Sequence, residues 1–398
     1  MGTLNETPMS ERVHIALFGK RNAGKSSLIN AITGQSLSIV SPVAGTTTDP
    51  VYKSMEILPI GPVVLIDTPG IDDDGTLGEM RIEKTNEVLR KTNIALLVVD
   101  ASLGLSNFDD IMLKLFKKKD IPYIIVMNKA DLDLFKTEKL ETKDTIWVSA
   151  INNTNVNELR EKISKITLKN ADKTPFVEDL VEKGDIVILV MPQGAAAPKS
   201  RLILPEQQAV RAIIDKDGIA VSIKDPWQLP DCLTALSAKP KFVITDSQVF
   251  KEVNELLPAN IPLTSFSILM ARYRGTLKPA VIGARAVDSL QDGDYVLISE
   301  GCTHHRQCDD IGTVKIPNWL NKYTGKKINY EWTVGHSFPT KLSKFKLVVH
   351  CGGCMLSDLE VQYRYELAEK CGVPVTNYGT LIAFLHGILE RSIEIVNN

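Results

Sequence analysis

Gly19-Lys-Arg-Asn-Ala-Gly24-Lys25-Ser26 constrains this chain more than any other segment. It follows a short apolar run, Val13–Phe18, and opens a helix-forming run, 26–33, that stops before Gly34. A glycine-rich turn between a strand and a helix is how a phosphate-binding loop is built. The glycines let backbone N–H groups converge on phosphate oxygens, and the helix N-terminus adds positive potential. In such a loop Gly19, Asn22, Ala23, Gly24, Lys25, Ser26 and Ser27 surround the phosphates, Lys25 reaches the outer ones, and Ser26 ligates magnesium. The expected fold class is α/β. Apolar runs at 63–66, 94–99 and 123–127 alternate with helix-period segments such as 111–119, the rhythm of a mostly parallel sheet flanked by helices.

Three more motifs follow in the order a guanine nucleotide switch requires. Asp67-Thr-Pro-Gly70, after the run 63–66, puts Asp67 near the magnesium shell and the Gly70 N–H where it can meet a γ-phosphate. Asn128-Lys129-Ala-Asp131 follows the run 123–127. The Asp131 carboxylate can accept from both N1–H and the 2-amino group of guanine, a donor pair adenine lacks, while the Lys129 stem covers the base. Ser149-Ala150 can present a backbone N–H to the guanine O6. Between the phosphate loop and Asp67, the hydroxyls of Gly45-Thr-Thr-Thr-Asp49 suit a segment that closes on magnesium, with Thr47 the first choice. The expected reaction is GTP to GDP and phosphate, with Lys25, Thr47, Asp67 and Gly70 as its catalytic set and Ser26, Thr47 and Asp67 around magnesium. Position 71 is Ile, not the Gln that orients water in signalling GTPases, so hydrolysis is expected to be slow.

At 398 residues the chain is too long for that domain alone. The polar stretch 169–175 reads as a linker, and we expect a GTP-binding domain at 1–172, a smaller open α/β dimerisation domain at 173–268, and a C-terminal α/β metal-cluster domain at 269–398. The middle domain shows apolar runs beginning at 186, 219, 242 and 261 and helical candidates at 205–214 and 249–257. The last ends in helical stretches at 358–371 and 380–396. With 46 Lys+Arg against 48 Asp+Glu, no global positive field recruits nucleic acid or acidic lipid, and neither partner is expected. No apolar stretch approaches the roughly 18 residues of a membrane span, and the first ten residues do not read as a secretory signal, so a cytoplasmic location is expected.

In a reducing compartment the six cysteines read as metal ligands or buried thiols, and four of them, Cys302, Cys308, Cys351 and Cys354, lie close together in sequence. Cys302-Thr-His304 and His350-Cys351-Gly-Gly-Cys354 form two short clips, and two clips make one site. The paired glycines leave N–H groups free to point at bound sulfur, and the strand-like run 345–349 gives a rigid base. Three thiolates with one N or O ligand suit a structural zinc or a 4Fe-4S cluster with one replaceable iron site, and spacing does not choose between them. Cys232 and Cys371 read as core.

The nucleotide motifs resemble those of the translation-factor-related GTPases that include tRNA-modification and ribosome-assembly enzymes, over residues 10 to 170. Several such relatives hold a potassium ion beside the phosphates through an Asn at the place of Asn22. The same residue also suits a turn at positive φ. The complete pattern, with C-x-H and then H-C-x-x-C on one chain with the GTPase motifs, resembles the FeFe-hydrogenase maturation GTPase family, HydF, across essentially the whole chain. The resemblance implies a 4Fe-4S cluster on Cys302, Cys351 and Cys354, with His304, His350, Asp309 and Asp310 as candidates for the fourth position. It also implies a homodimer or higher oligomer, and a scaffold that carries a di-iron precursor to apo-hydrogenase in company with radical-SAM maturation enzymes. The other reading is a regulatory or RNA-processing GTPase with a zinc-stabilised C-terminal domain.

Overall fold

The computed structural model describes residues 7–34, 50–68, 85–132, 143–166, 174–192, 202–301, 310–335 and 337–397. Thr47, Gly70, Cys302, His304 and Asp309 lie outside the described residues. The chain divides into two compact units, residues 7–170 and 171–398.

In the first unit, β1 (Val13–Phe18), β2 (Val51–Ile57), β3 (Gly61–Asp67), β4 (Ile94–Asp100), β5 (Tyr123–Asn128) and β6 (Thr145–Trp147) form one sheet in the order β2-β3-β1-β4-β5-β6. Only β2 runs antiparallel to its neighbour. The period-2 alternation of a strand sends Ile15 and Leu17 to one face, against the helices Lys25–Thr33 and Val156–Ser164. Ala16 and Phe18 go to the other, against Phe116 and Met112 of the helix Asn107–Lys118. That two-sided burial explains the uninterrupted apolar strands. The last helix begins at Asn107 rather than 111 because Ser106 and Asp109 form a capping box, with the Ser106 N–H donating to Asp109 Oδ2 at 2.8 Å.

The second unit holds two four-stranded, all-parallel sheets. One is built from β7 (Ile186–Val190), β8 (Ile219–Ile223), β9 (Phe242–Thr245) and β10 (Leu263–Ser265), in the order β10-β9-β7-β8. The other is built from β11 (Tyr295–Glu300), β12 (Asn329–Val334), β13 (Phe345–His350) and β14 (Val375–Asn377), in the order β12-β11-β13-β14. The chain segments expected on either side of residue 268 share a core. Ile188, Val243 and Leu263 pack in one cluster with Ala383, Leu389 and Ile393. The single helix expected at 380–396 is two, Tyr378–Leu385 and Leu389–Asn397. Gly387 takes φ +71°, and the Ile388 N–H bonds back to Ala383 O at 2.8 Å, ending the first helix. Cys371 is exposed rather than core, and Cys232 is partly buried.

In the second sheet β11 and β13 are central neighbours, yet β11 connects onward to β12 and β13 to β14 on the opposite side. Where successive connections diverge, a crevice opens at the carboxyl ends of the strands. Cys302 follows β11 by two residues and Cys351 follows β13 directly.

Candidate functional site

The phosphate loop is held by contacts from two other motifs. Gly24 caps the helix Lys25–Thr33 at φ +90°, and a Cβ there would lie 2.2 Å from Asn128 Nδ2. Asn128, buried at the end of β5, uses that amide to donate to Ala23 O at 2.9 Å. Its Oδ1 accepts from the Ala150 N–H at 3.1 Å, so one side chain ties the phosphate loop to the segment after β6. The buried Lys25 ammonium donates to Gly19 O at 2.8 Å and Lys20 O at 2.9 Å, which lays it across the loop. Asn22 takes φ +62°, the turn conformation that an Asn tolerates.

Ser26 Oγ donates to Asp67 Oδ2 at 2.5 Å, bringing together two residues expected around magnesium. Burial pushes the Asp67 carboxyl upward, against the Ser26 hydrogen bond and the charges of Lys25 and Lys53. A desolvated carboxylate beside a hydroxyl is a donor set that a divalent cation would compensate.

Of the residues expected to meet the guanine base, Asp131 is exposed three residues past the end of β5. Lys129, at φ +64°, pairs with Asp100 Oδ2 at 2.6 Å. The net effect on Asp100 is a lowered pKa. Burial opposes its charge, while the hydrogen bonds from Lys129 and Ser102 outweigh it. Asp100 was not singled out from the sequence, although it closes β4 at the same carboxyl edge as the phosphate loop. The Ser149 N–H goes to Thr154 O at 3.2 Å and that of Ala150 to Asn128, so both donors expected to face guanine O6 are engaged within the protein.

In the second unit the parallel pairing of β11 with β13 builds the cysteine loop. Ser299 lies opposite His350, the Cys351 N–H donates to Ser299 O at 2.9 Å, and the Gly301 N–H points at Cys351 Sγ at 3.0 Å. The Gly353 N–H reaches the same sulfur at 3.3 Å. Burial raises both the Cys351 and Cys354 thiols. At Cys351 these two N–H groups oppose the rise, and at Cys354 the Arg274 charge does. Two partly buried cysteines, one with its sulfur facing N–H donors, fit a metal group that supplies the positive charge thiolates need. Among the described residues no three His, Cys, Asp or Glu side chains gather as ligands.

His350 behaves differently from its expected role. Arg364 Nη1, a donor only, lies 3.1 Å from Nε2, which leaves Nε2 the acceptor and Nδ1 the donor to Cys351 O at 2.7 Å. Both ring nitrogens are engaged, which counts against His350 as the fourth ligand. Asp310 accepts at Oδ2 from Thr313 N at 2.9 Å and Thr313 Oγ1 at 2.8 Å, capping the turn Ile311–Lys315. Arg364 is buried and bonds Glu360, Ser299 Oγ and Gly335 O, holding β11 and β12 to the helix Asp358–Lys370.

The same loop yields two expected results. Burial, and then the Arg364 charge, pulls the His350 pKa down to about 3. Above pH 6.5 the ring is neutral folded or unfolded. Below it the unfolded chain takes the proton first, and metal-free protein should lose about 1.4 kcal/mol per pH unit until about pH 3. Denaturant midpoints between pH 7 and 5 should therefore fall more steeply for the wild type than for His350→Asn; parallel curves would contradict this. Gly353 sits at φ +66°, and a Cβ there would lie 2.9 Å from Arg274 Nη1, whereas one on Gly352 would meet nothing within 4 Å. Urea denaturation should show Gly353→Ala destabilised by about 1–3 kcal/mol and Gly352→Ala within about 0.5 kcal/mol of wild type.

Comparison with known proteins adds the family. Residues 14–129 match the 50S ribosome-binding GTPase model, 176–275 the Hydrogen maturase F dimerization domain and 278–395 the Hydrogen maturase F tetramerization domain. GTPase Der of Wolinella succinogenes is 37% identical over 41% of this chain and 37% of that protein. The tRNA modification GTPase MnmE of Streptococcus pneumoniae is 33% identical over 41% of this chain and 35% of that protein. The chain thus spans little more than a third of the length of these relatives. Among solved structures, Aquifex aeolicus Era bound to GDP and aluminium fluoride is 21% identical, with 56% of this chain and 98% of that one covered and a TM-score of 0.34. The tetramerization match falls on the segment expected to carry a metal cluster, and together with the dimerization match it supports oligomer formation. A GTPase domain followed by dimerization and tetramerization domains is the hydrogen maturase F architecture, and the chain belongs to that family.

Proposed function

We propose that this protein hydrolyses GTP to GDP and phosphate and acts as a scaffold in assembling the FeFe-hydrogenase active site. In this reading it holds a 4Fe-4S cluster on Cys302, Cys351 and Cys354 and passes a di-iron precursor to apo-hydrogenase. The observation that carries the reading is the Gly301 N–H at 3.0 Å from Cys351 Sγ. Cys302 is the next residue along the sequence, one peptide step of about 3.8 Å from Gly301, which supports reading it as the third thiolate ligand. A cluster bound there supplies an iron with one exchangeable position. The protein's own part is to present thiolates, aim N–H groups at sulfur and exclude water.

In the first unit, Lys25 neutralises the outer phosphates, Ser26 and Asp67 hold magnesium together with Thr47, and Asp131 selects guanine. Asn22 is proposed to bind potassium beside the phosphates. GTP turnover should then be several-fold faster in potassium than in sodium, and equal rates would remove that role. Self-association fits the open edge at β8, where Ile219 is exposed. Metal analysis of anaerobically purified protein tests the main reading. Iron and sulfide in roughly equal amounts are expected; zinc without sulfide would replace it with the zinc-stabilised alternative.

A further inference from the structure

Arg274 follows the helix Phe266–Tyr273, and its side chain is 1% exposed. Desolvating a guanidinium costs several kcal/mol unless its donors are satisfied. Nε donates to Asp358 Oδ1 at 3.0 Å, Nη1 to Gly352 O at 2.9 Å and Gly353 O at 3.0 Å, and Nη2 to Leu356 O at 3.3 Å. Three of the four acceptors are main-chain carbonyls of 352–356, the segment that contains Cys354 and begins just after Cys351. The Gly352 carbonyl and the Gly353 N–H belong to one peptide group. In a planar trans peptide they point in opposite directions, so gripping the oxygen aims the N–H, and that N–H points at Cys351 Sγ. A planar fork can hold several carbonyls at fixed angles, which a lysine ammonium cannot.

The geometry points to Arg274 as the positioning residue of the cysteine loop: by holding the Gly352 and Gly353 carbonyls it directs the Gly353 N–H at the Cys351 sulfur and places a fixed positive charge beside Cys354, and so sets how firmly, and at what reduction potential, the loop holds an iron-sulfur cluster. This rests on the cluster reading above. Hydrogen bonds to sulfur and nearby positive charge both favour the more reduced, more negative cluster.

The test uses the full chain, reconstituted anaerobically as wild type, Arg274→Lys, Arg274→Gln, Asp358→Asn and Arg272→Gln. Arg272 is the control. It lies two residues earlier and bonds Pro175 O and Asp179 instead of the cysteine loop. Readouts are iron and sulfide content, midpoint potential by EPR-monitored titration, rate of iron loss to a chelator, and thermal unfolding of the metal-free protein. Arg274→Lys, keeping the charge without the fork, should lose iron roughly tenfold faster, the scale of one charge-assisted hydrogen bond, with a smaller fall in potential than Arg274→Gln. Arg274→Gln should also show a lower potential, Asp358→Asn a smaller acceleration, and Arg272→Gln no change. Wild-type release and potential in Arg274→Gln, or equal effects from Arg272→Gln, overturn the proposal. If Arg274→Gln does not fold, unaltered iron release in both Arg274→Lys and Asp358→Asn overturns it. A wild-type chain that takes up no iron and sulfide overturns the cluster reading itself, an outcome distinct from these.

Discussion

Replacing Asp131 by Asn is expected to weaken GTP binding by roughly 10³-fold, the scale of losing two hydrogen bonds to a charged acceptor at about 1.5–3 kcal/mol each. The same variant should gain affinity for xanthosine triphosphate. The xanthine 2-oxo group offers an acceptor where guanine has a donor, and the new amide can donate to it. Asp131 is exposed three residues after β5, so the substitution is expected to leave the fold intact and the change in ligand preference can be read directly. Titration calorimetry with both nucleotides decides it. Unaltered GTP affinity in the variant would mean that the base lies elsewhere, and the guanine assignment would fall with it.

Replacing Cys302, Cys351 and Cys354 together by Ser is expected to reduce bound iron and sulfide to background and to abolish the S = 1/2 EPR signal on reduction, while GTP hydrolysis persists. The separation follows from the architecture. Residues 7–170 and 171–398 form distinct compact units, and the nucleotide residues and the cysteine loop fall in different ones. Serine is close to cysteine in size but is not a thiolate, so little packing is lost around Cys351 and Cys354. A triple variant that retains the cluster signal would show that other ligands hold it.

Motifs whose members are close in sequence are legible from residue type and spacing alone. The phosphate loop, Asn128 to Asp131 and Cys351 to Cys354 each occupy one turn after one strand, so their order along the chain states their chemistry. Helix limits are less legible. The start at Asn107 depends on a capping box, and the break at Gly387 depends on one left-handed residue inside an apolar run. The third sheet is harder still. β12 mixes exposed and half-buried residues at an edge, a weak signal beside the continuous apolar strands of the first unit.

Residues that act across long separations are not legible at all. Asp100 meets Lys129 across 29 positions, Arg364 meets Ser299 across 65, and Arg274 meets Asp358 across 84. A lone charged residue in a sequence reads as a solvated surface group. Asp100 and Lys129 become partners because parallel strands bring their carboxyl ends into line, whereas Arg364 and Asp358 meet theirs from the helix Asp358–Lys370.

The sequence by itself carried the GTPase motifs and the spacing of the cysteines, because those depend on the identity and order of neighbouring residues. Only the tertiary structure decided how the cysteine loop is held. The pairing of β11 with β13 brings Gly301 beside Cys351 across 50 residues, and the buried guanidinium of Arg274, just past the helix Phe266–Tyr273, holds the carbonyl of Gly352. Burial makes that arrangement specific: once water is excluded, each donor of Arg274 must find a particular acceptor, and the held Gly352 carbonyl belongs to the peptide whose N–H, that of Gly353, faces sulfur.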